Sequence, residues 1–274
     1  MRLRPLHEGF GVEVLDVDLL GTVDDSQIEA LRAAFNQHQF LLFRVGRALE
    51  PERQIEIMEW FGDVLEDNGS RWGVLDNDTA AGSIRLPFHS DFTYTDHPLK
   101  AISLQAIAVP EGGTSTSYVS GASAWSTLLP ERQQFLADLT LRHRHVSVIS
   151  SGWPEFIALH PLRLLHPRTG RPVLFITEHH ADRILDLDEA QSDEVIEELF
   201  AHMYAPQQVY RHQWRLHDFV IWDNIAIQHA REEEAAPSAG KRTVQRVCLG
   251  DIPLSQLIEI ARDQERRRRE LQEA

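Results

Sequence analysis

Segments of strand length, apolar or alternating and each closed by turn residues, recur from Val12 to Leu249, and they constrain the fold of this chain more than any other feature. Val12-Glu13-Val14-Leu15-Asp16-Val17-Asp18-Leu19 largely alternates at period two, the pattern of a half-buried strand. Phe40–Val45 is a short apolar run, and Ala101–Val109 is another, broken by Pro110-Glu111-Gly112-Gly113 before Thr114–Val119 pairs back. Leu141–Ile149, Leu162–Leu165, Val173–Ile176, Gln208–Trp214, Phe219–Trp222 and Arg242–Leu249 complete the strand signals.

Helical patterns lie between them. Asp24 and Asp25 cap one that runs through Ile28, Leu31 and Phe35. Pro51 opens a second, with Ile55, Met58 and Phe61 on one face and Gly62 as its stop. Ala122–Leu139, restarted at Pro130, and Asp188–Met203 are the others. Residues 68–84 are polar and rich in Gly and Asp, which predicts a long mobile loop over the active site, and 253–274 reads as a C-terminal helix or tail. No repeat and no linker divides the chain, so 1–274 reads as a single domain. Many short strands with inserted and flanking helices favour a mainly β fold, a distorted barrel or jelly roll.

Hydrophobic residues make up 42% and charged residues 25%, enough apolar content for a packed core. The formal charge of −15 repels phosphate backbones, so no nucleic-acid partner is expected. The run Arg266 to Arg269 is interleaved with Asp263, Glu265 and Glu270 and reads as a solvated helix or tail. No apolar run is long enough for a membrane span, and the N-terminus lacks a signal-peptide core, so a cytoplasmic location is expected. A single cysteine, Cys248, excludes an intrachain disulfide and a thiolate-built metal site, and it reads as a small core residue.

Fourteen histidines are more than packing requires. A non-haem Fe(II) site needs two imidazoles and a carboxylate on one face of the metal. His89-Ser90-Asp91 has this form, since residues two apart in an extended segment project to one side. Chance composition alone yields about two such H-x-D/E matches, and two occur, the second being His180-Ala181-Asp182. Context separates them. His89 sits where the polar loop ends and the barrel strands begin, whereas His180 lies between a strand and a helix, where surface and capping residues are expected. His229, following Phe219-Val220-Ile221-Trp222 and the turn Asp223-Asn224, qualifies as a distant third ligand. His143 and His145 share a strand face, where satisfied histidines are commoner than ligands, and His179 and His180 read similarly. Trp153 and Phe156 could line a pocket, although buried aromatics are usually core.

Taken in order, His89-Ser90-Asp91, Pro110-Glu111-Gly112-Gly113 leading to Thr116, Trp222-Asp223-Asn224 with His229, and Arg242 with Arg246 resemble the TauD/TfdA family of Fe(II)- and 2-oxoglutarate-dependent dioxygenases. The resemblance runs from about Val12 to Asp251 and includes His160-Pro161-Leu162 and His166-Pro167-Arg168-Thr169-Gly170-Arg171. It implies a double-stranded β-helix (jelly roll) with flanking helices. It also implies Fe(II) held by His89, Asp91 and His229, 2-oxoglutarate held by Thr116 and Arg242, and O2 as the oxidant. The implied reaction is oxidation, expected to be hydroxylation, of a small organic substrate, with release of succinate and CO2.

Arg242, Val244 and Arg246 share a strand face, and an unpaired guanidinium facing a barrel interior costs about several kcal/mol, so each arginine should meet an anion. For Arg246 that anion is either a carboxylate or sulfonate of the substrate, as the resemblance suggests, or an internal Asp or Glu. Two positions depart from the family pattern: Phe88 stands where Trp usually precedes the first histidine, and Gly113-Thr114-Ser115-Thr116 keeps the threonine but loses the acid. Substrate identity therefore does not carry over. A non-catalytic metal- or ligand-binding jelly roll and a divalent-metal hydrolase are the alternative readings, and homo-oligomerisation stays open.

Overall fold

The computed structural model describes residues 1–78, 84–145, 152–231 and 240–273. Its larger sheet has seven strands in the order β1 (Leu3–Pro5), β2 (Val12–Val14), β3 (Phe40–Arg44), β14 (Asp218–Asp223), β6 (Ala101–Ala108), β16 (Thr243–Leu249) and β4 (Gly73–Asp76). Its smaller partner has four: β13 (Tyr210–Gln213), β7 (Ser115–Ser120), β15 (Ile227–Arg231) and β5 (Leu86–His89). All pairings are antiparallel except β2 with β3.

Strict alternation along the central strands explains why both faces of the large sheet are covered. Leu41, Phe43, Phe219, Ile221, Val247 and Leu249 turn outward, where they pack against Leu31 and Phe35 of helix α1 (Asp25–His38) and Ile57 and Met58 of α2 (Pro51–Glu59). Their neighbours Phe40, Leu42, Val220, Trp222 and Val244 turn inward, to meet Tyr118 and Ile227 of the small sheet. Each such side chain contributes about 1.5–3 kcal/mol on full burial. The two facing sheets are the jelly-roll core that the strand pattern predicts. The small sheet's outer face, with Phe88, Val119 and Ala230, packs against α3 (Gly121–Thr127) and α5 (Glu189–Met203). Two small sheets close this side: β12 (Ala181–Ile184) with β8 (Thr140–His145) and β9 (Phe156–Pro161), and β10 (Arg163–Leu165) with β11 (Pro172–Leu174).

Asp24 caps α1 as expected, through a capping box with Gln27. The helix from Pro51 ends at Glu59, one further turn before Gly62. The remaining helices are α4 (Pro130–Leu136) and α6 (Leu254–Glu273). α6 is anchored by Leu257 and Ala261 against Tyr94 and Phe156, so Phe156 is core.

Two expectations are corrected. Within 68–84, Gly73–Asp76 form edge strand β4, held by the register Thr243↔Asp76 to Arg246↔Gly73; residues 79–83 of that segment lie outside the described residues. Ala181 and Asp182 belong to β12 rather than to a helix cap, and His180 is buried. The strand expected over Leu141–Ile149 is present as far as His145, and residues 146–149 lie outside the described residues.

Candidate active site

Strand register brings the two distant histidines together. β15 pairs with β5 so that His229 stands opposite His89, and with β7 so that His229 stands opposite Tyr118. The rings of His89 and His229 are 4.2 Å apart, centroid to centroid. Asp91 lies two residues beyond His89, and one ligand atom from each of His89, Asp91 and His229 lies within 4.8 Å of the others. Of the two H-x-D matches, this one forms the cluster.

Each member is held in place. His89 Nδ1 donates to Pro87 O at 2.8 Å, which fixes the tautomer and leaves Nε2 to face Asp91 Oδ1 at 3.4 Å. Arg246 donates to the other carboxylate oxygen, Oδ2. Burial alone would raise the Asp91 carboxyl, but the Arg246 charge and His89 hold it well below the usual carboxylate range. Burial and the neighbouring His89 push His229 down to about 3, so its imidazole is neutral, and its Nδ1 is buried without a hydrogen-bond partner. Two imidazoles and an ionised carboxylate gathered at one point are a donor set suited to Fe(II).

The turn Asp223-Asn224 is the second support, unrecognised as such in the sequence. Asn224 Oδ1 accepts from Asp91 N at 3.0 Å, while its Nδ2 donates to Asp91 O at 3.0 Å and Leu99 O at 2.8 Å. Asp223 Oδ1 accepts from Ile225 N and Ala226 N, shaping the turn into β15, and its Oδ2 accepts from His166 Nε2 at 2.9 Å and from Arg168. His166 and Arg168 are thereby structural partners of the turn.

Arg242, immediately before β16, and Arg246 on it are the two arginines. Arg242 is 4% exposed, and its Nε and Nη1 are buried with no hydrogen-bond partner. Tyr118 is within electrostatic reach of this cation. Thr116, two residues before Tyr118 on β7, accepts from Trp214 Nε1 at 2.9 Å. Asn77 fixes the arginine's backbone: Arg242 N donates to Asn77 Oδ1 at 3.0 Å, and Asn77 N donates to Arg242 O at 3.1 Å. An unpaired guanidinium buried near Tyr118, the residue that stands opposite His229, fits a carboxylate ligand. Arg246 meets the internal carboxylate of Asp91, the second of its two sequence alternatives, and also lines a cavity of about 270 Å³ with Trp72, Val74, Phe92 and Cys248. The corrected strand β4 is thus a wall of this cavity.

His143, read as a satisfied strand histidine, is fully buried with both ring nitrogens unpartnered. His145, His179 and His180 form a cluster of their own, with His179 exposed and His180 buried. Among the described residues no helix is long and apolar enough to cross a membrane.

Comparison with known proteins agrees with this geometry. The chain is 28% identical over 264 residues to (S)-phenoxypropionate/alpha-ketoglutarate-dioxygenase of Delftia acidovorans, covering 85% of this chain and 89% of that protein. It is 27% identical over 279 residues to the alpha-ketoglutarate-dependent sulfate ester dioxygenase of Pseudomonas putida, covering 92% and 90%. The fold matches the crystal structure of a taurine dioxygenase from Burkholderia xenovorans with a TM-score of 0.80 at 24% identity, over 92% of this chain and 91% of that one. Residues 2–248 match the family described as taurine catabolism dioxygenase TauD, TfdA family, and the chain therefore belongs to the TauD/TfdA family of Fe(II)- and 2-oxoglutarate-dependent dioxygenases.

Proposed function

We propose that this dioxygenase, acting as one domain over residues 1–274, hydroxylates a small anionic organic substrate with Fe(II), 2-oxoglutarate and O2. His89, Asp91 and His229 hold the iron, and Arg242 with Thr116 holds the distal carboxylate of 2-oxoglutarate. Bound iron and 2-oxoglutarate supply the oxidising chemistry, in which O2 is consumed and the cosubstrate leaves as succinate and CO2. The observation that carries this reading is Arg242, a buried cation with two unpartnered nitrogens immediately before β16, the strand that carries the arginine paired with Asp91. Such a charge is costly until an anion meets it.

Arg246 plays two parts. It keeps Asp91 ionised and correctly turned, and from the edge of its cavity it presents positive charge to an anionic group on the substrate. Trp72, Val74 and Phe92 supply an apolar wall for the remainder of that molecule. Carboxylates, sulfonates and sulfate esters share the required chemistry, and relatives named for phenoxypropionate and sulfate esters support this class.

The test is succinate formation by purified protein with Fe(II), ascorbate and 2-oxoglutarate, across aryloxy acids, sulfonates and sulfate esters. Succinate release stimulated by one anionic class is expected. Absence of 2-oxoglutarate turnover with every compound would overturn the reading.

A further inference from the structure

Three imidazoles with no part in the site described above converge beside the triad. His145 ends β8, while His179 and His180 sit in a turn closed by Ala181 N donating to Thr177 O at 2.9 Å, which sets two consecutive side chains on one side. One ligand atom from each of His145, His179 and His180 lies within 4.8 Å of the others. Ring centroids are separated by 4.5 Å for His179 and His180, 5.3 Å for His145 and His180, and 6.0 Å for His145 and His179. A tetrahedral ion with metal–nitrogen bonds of about 2.0–2.1 Å places ring centroids about 5 Å apart, within this range.

The surroundings favour ligation. Thr93 Oγ1 donates to Ser90 O at 3.2 Å, so it accepts from His180 Nδ1 at 3.2 Å and leaves Nε2 of that ring as a lone-pair donor. Tyr94 stacks on His145 at 4.5 Å and meets His180 edge-on at 4.8 Å, bracing both rings. Nearby acids are engaged elsewhere: Asp182 with Arg142, and Glu178 Oε2 accepting from Phe88 N. The donor set is therefore nitrogen only, which suits Zn²⁺, Co²⁺, Ni²⁺ or Cu²⁺ rather than Mg²⁺ or Ca²⁺.

We propose that His145, His179 and His180 form a second divalent-metal site, for Zn²⁺ or a similar nitrogen-seeking ion, separate from His89, Asp91 and His229. His179 is exposed, so the fourth coordination position opens to solvent. The ring of His89 lies 5.8 Å from that of His179 and 6.2 Å from that of His180, so the two sites share a wall.

The test is equilibrium dialysis of the metal-free full-length protein against Zn²⁺, with Co²⁺ absorption spectra in parallel. Wild type should hold two equivalents per chain, and Co²⁺ should show an intense four-coordinate band besides the weak absorption of the triad site. His179→Ala, at an exposed position, should lose one equivalent and the intense band while keeping the other, and the retained equivalent reports that the fold is intact. Asp91→Ala should lose the other equivalent and keep the intense band. One equivalent in wild type, or an intense band that survives His179→Ala, would overturn the proposal. Both results stand apart from whether 2-oxoglutarate is consumed.

Discussion

Asn224 grips Asp91 by both of its backbone polar groups, taking the N–H on Oδ1 and giving Nδ2 to the carbonyl, each at 3.0 Å. The two residues are 133 positions apart, and the contact ties the turn before β15 to the segment after β5. Asn77 does the same for Arg242 with its side-chain oxygen and its own backbone N–H. Two asparagines therefore set the backbone of one residue from each half of the site.

From the first clamp, Asn224→Ala should weaken metal binding about 10- to 100-fold, the usual effect of removing a group that orients a ligand. It should also lower stability by about 1–3 kcal/mol, because the Asp91 and Leu99 backbone groups lose a buried partner. Anaerobic Mn²⁺ titration and urea unfolding check the two effects. Wild-type metal affinity in this variant would show that Asp91 is positioned without Asn224.

The two arginines should separate. Arg242→Ala removes the unpaired cation and should weaken 2-oxoglutarate binding by about 2–5 kcal/mol, with metal affinity unchanged. Arg246→Ala instead takes the counter-charge from Asp91, so metal affinity should fall first. Lysine should rescue neither fully, since a point charge does not reproduce the planar fork. Calorimetric titration with Fe(II), without oxygen, measures both. Unchanged 2-oxoglutarate affinity in Arg242→Ala would remove the cosubstrate assignment.

What the sequence revealed and what it hid divides along a physical line. The cluster of His89, Asp91 and His229 was legible because period-two alternation and ordered motifs act along the chain. The pairing of Arg246 with Asp91 depends on how a strand of one sheet meets a turn of the other, which local spacing does not encode. β4 was hidden for the same reason: Gly73-Val74-Leu75-Asp76 has little strand character alone, and β16 supplies its partner. His145 and His179 are far apart in sequence and meet only because β8 pairs with β12.

Gly121 is a further site that pattern alone did not mark. A Cβ there would lie 2.7 Å from Leu174 O and 2.8 Å from Val173 Cγ1, and the backbone oxygen cannot swing aside. Gly121→Ala should force α3 away from β11 and lower stability by about 1–3 kcal/mol, read as a reduced urea midpoint at unchanged slope. A midpoint equal to wild type would mean that the α3–β11 contact yields to a methyl group without cost.

His143 gives the pH prediction. It is fully buried against His160 and Phe175, and burial, with the nearby His160, lowers it from 6.5 to about 3. The unfolded chain takes up a proton at this residue below about pH 6.5 while the folded chain refuses it, so acid favours unfolding. The contribution is absent above pH 6.5, grows by about 1.4 kcal/mol per pH unit below it, and levels off near the folded value. His143→Leu, close in volume, removes this proton uptake and the two unpartnered ring nitrogens. The variant should match or exceed wild type in urea unfolding at pH 7.5, and its advantage should widen by about 1.4 kcal/mol at pH 5.5. Parallel stability curves across this interval would mean that His143 takes up a proton in the folded protein as readily as in the unfolded chain.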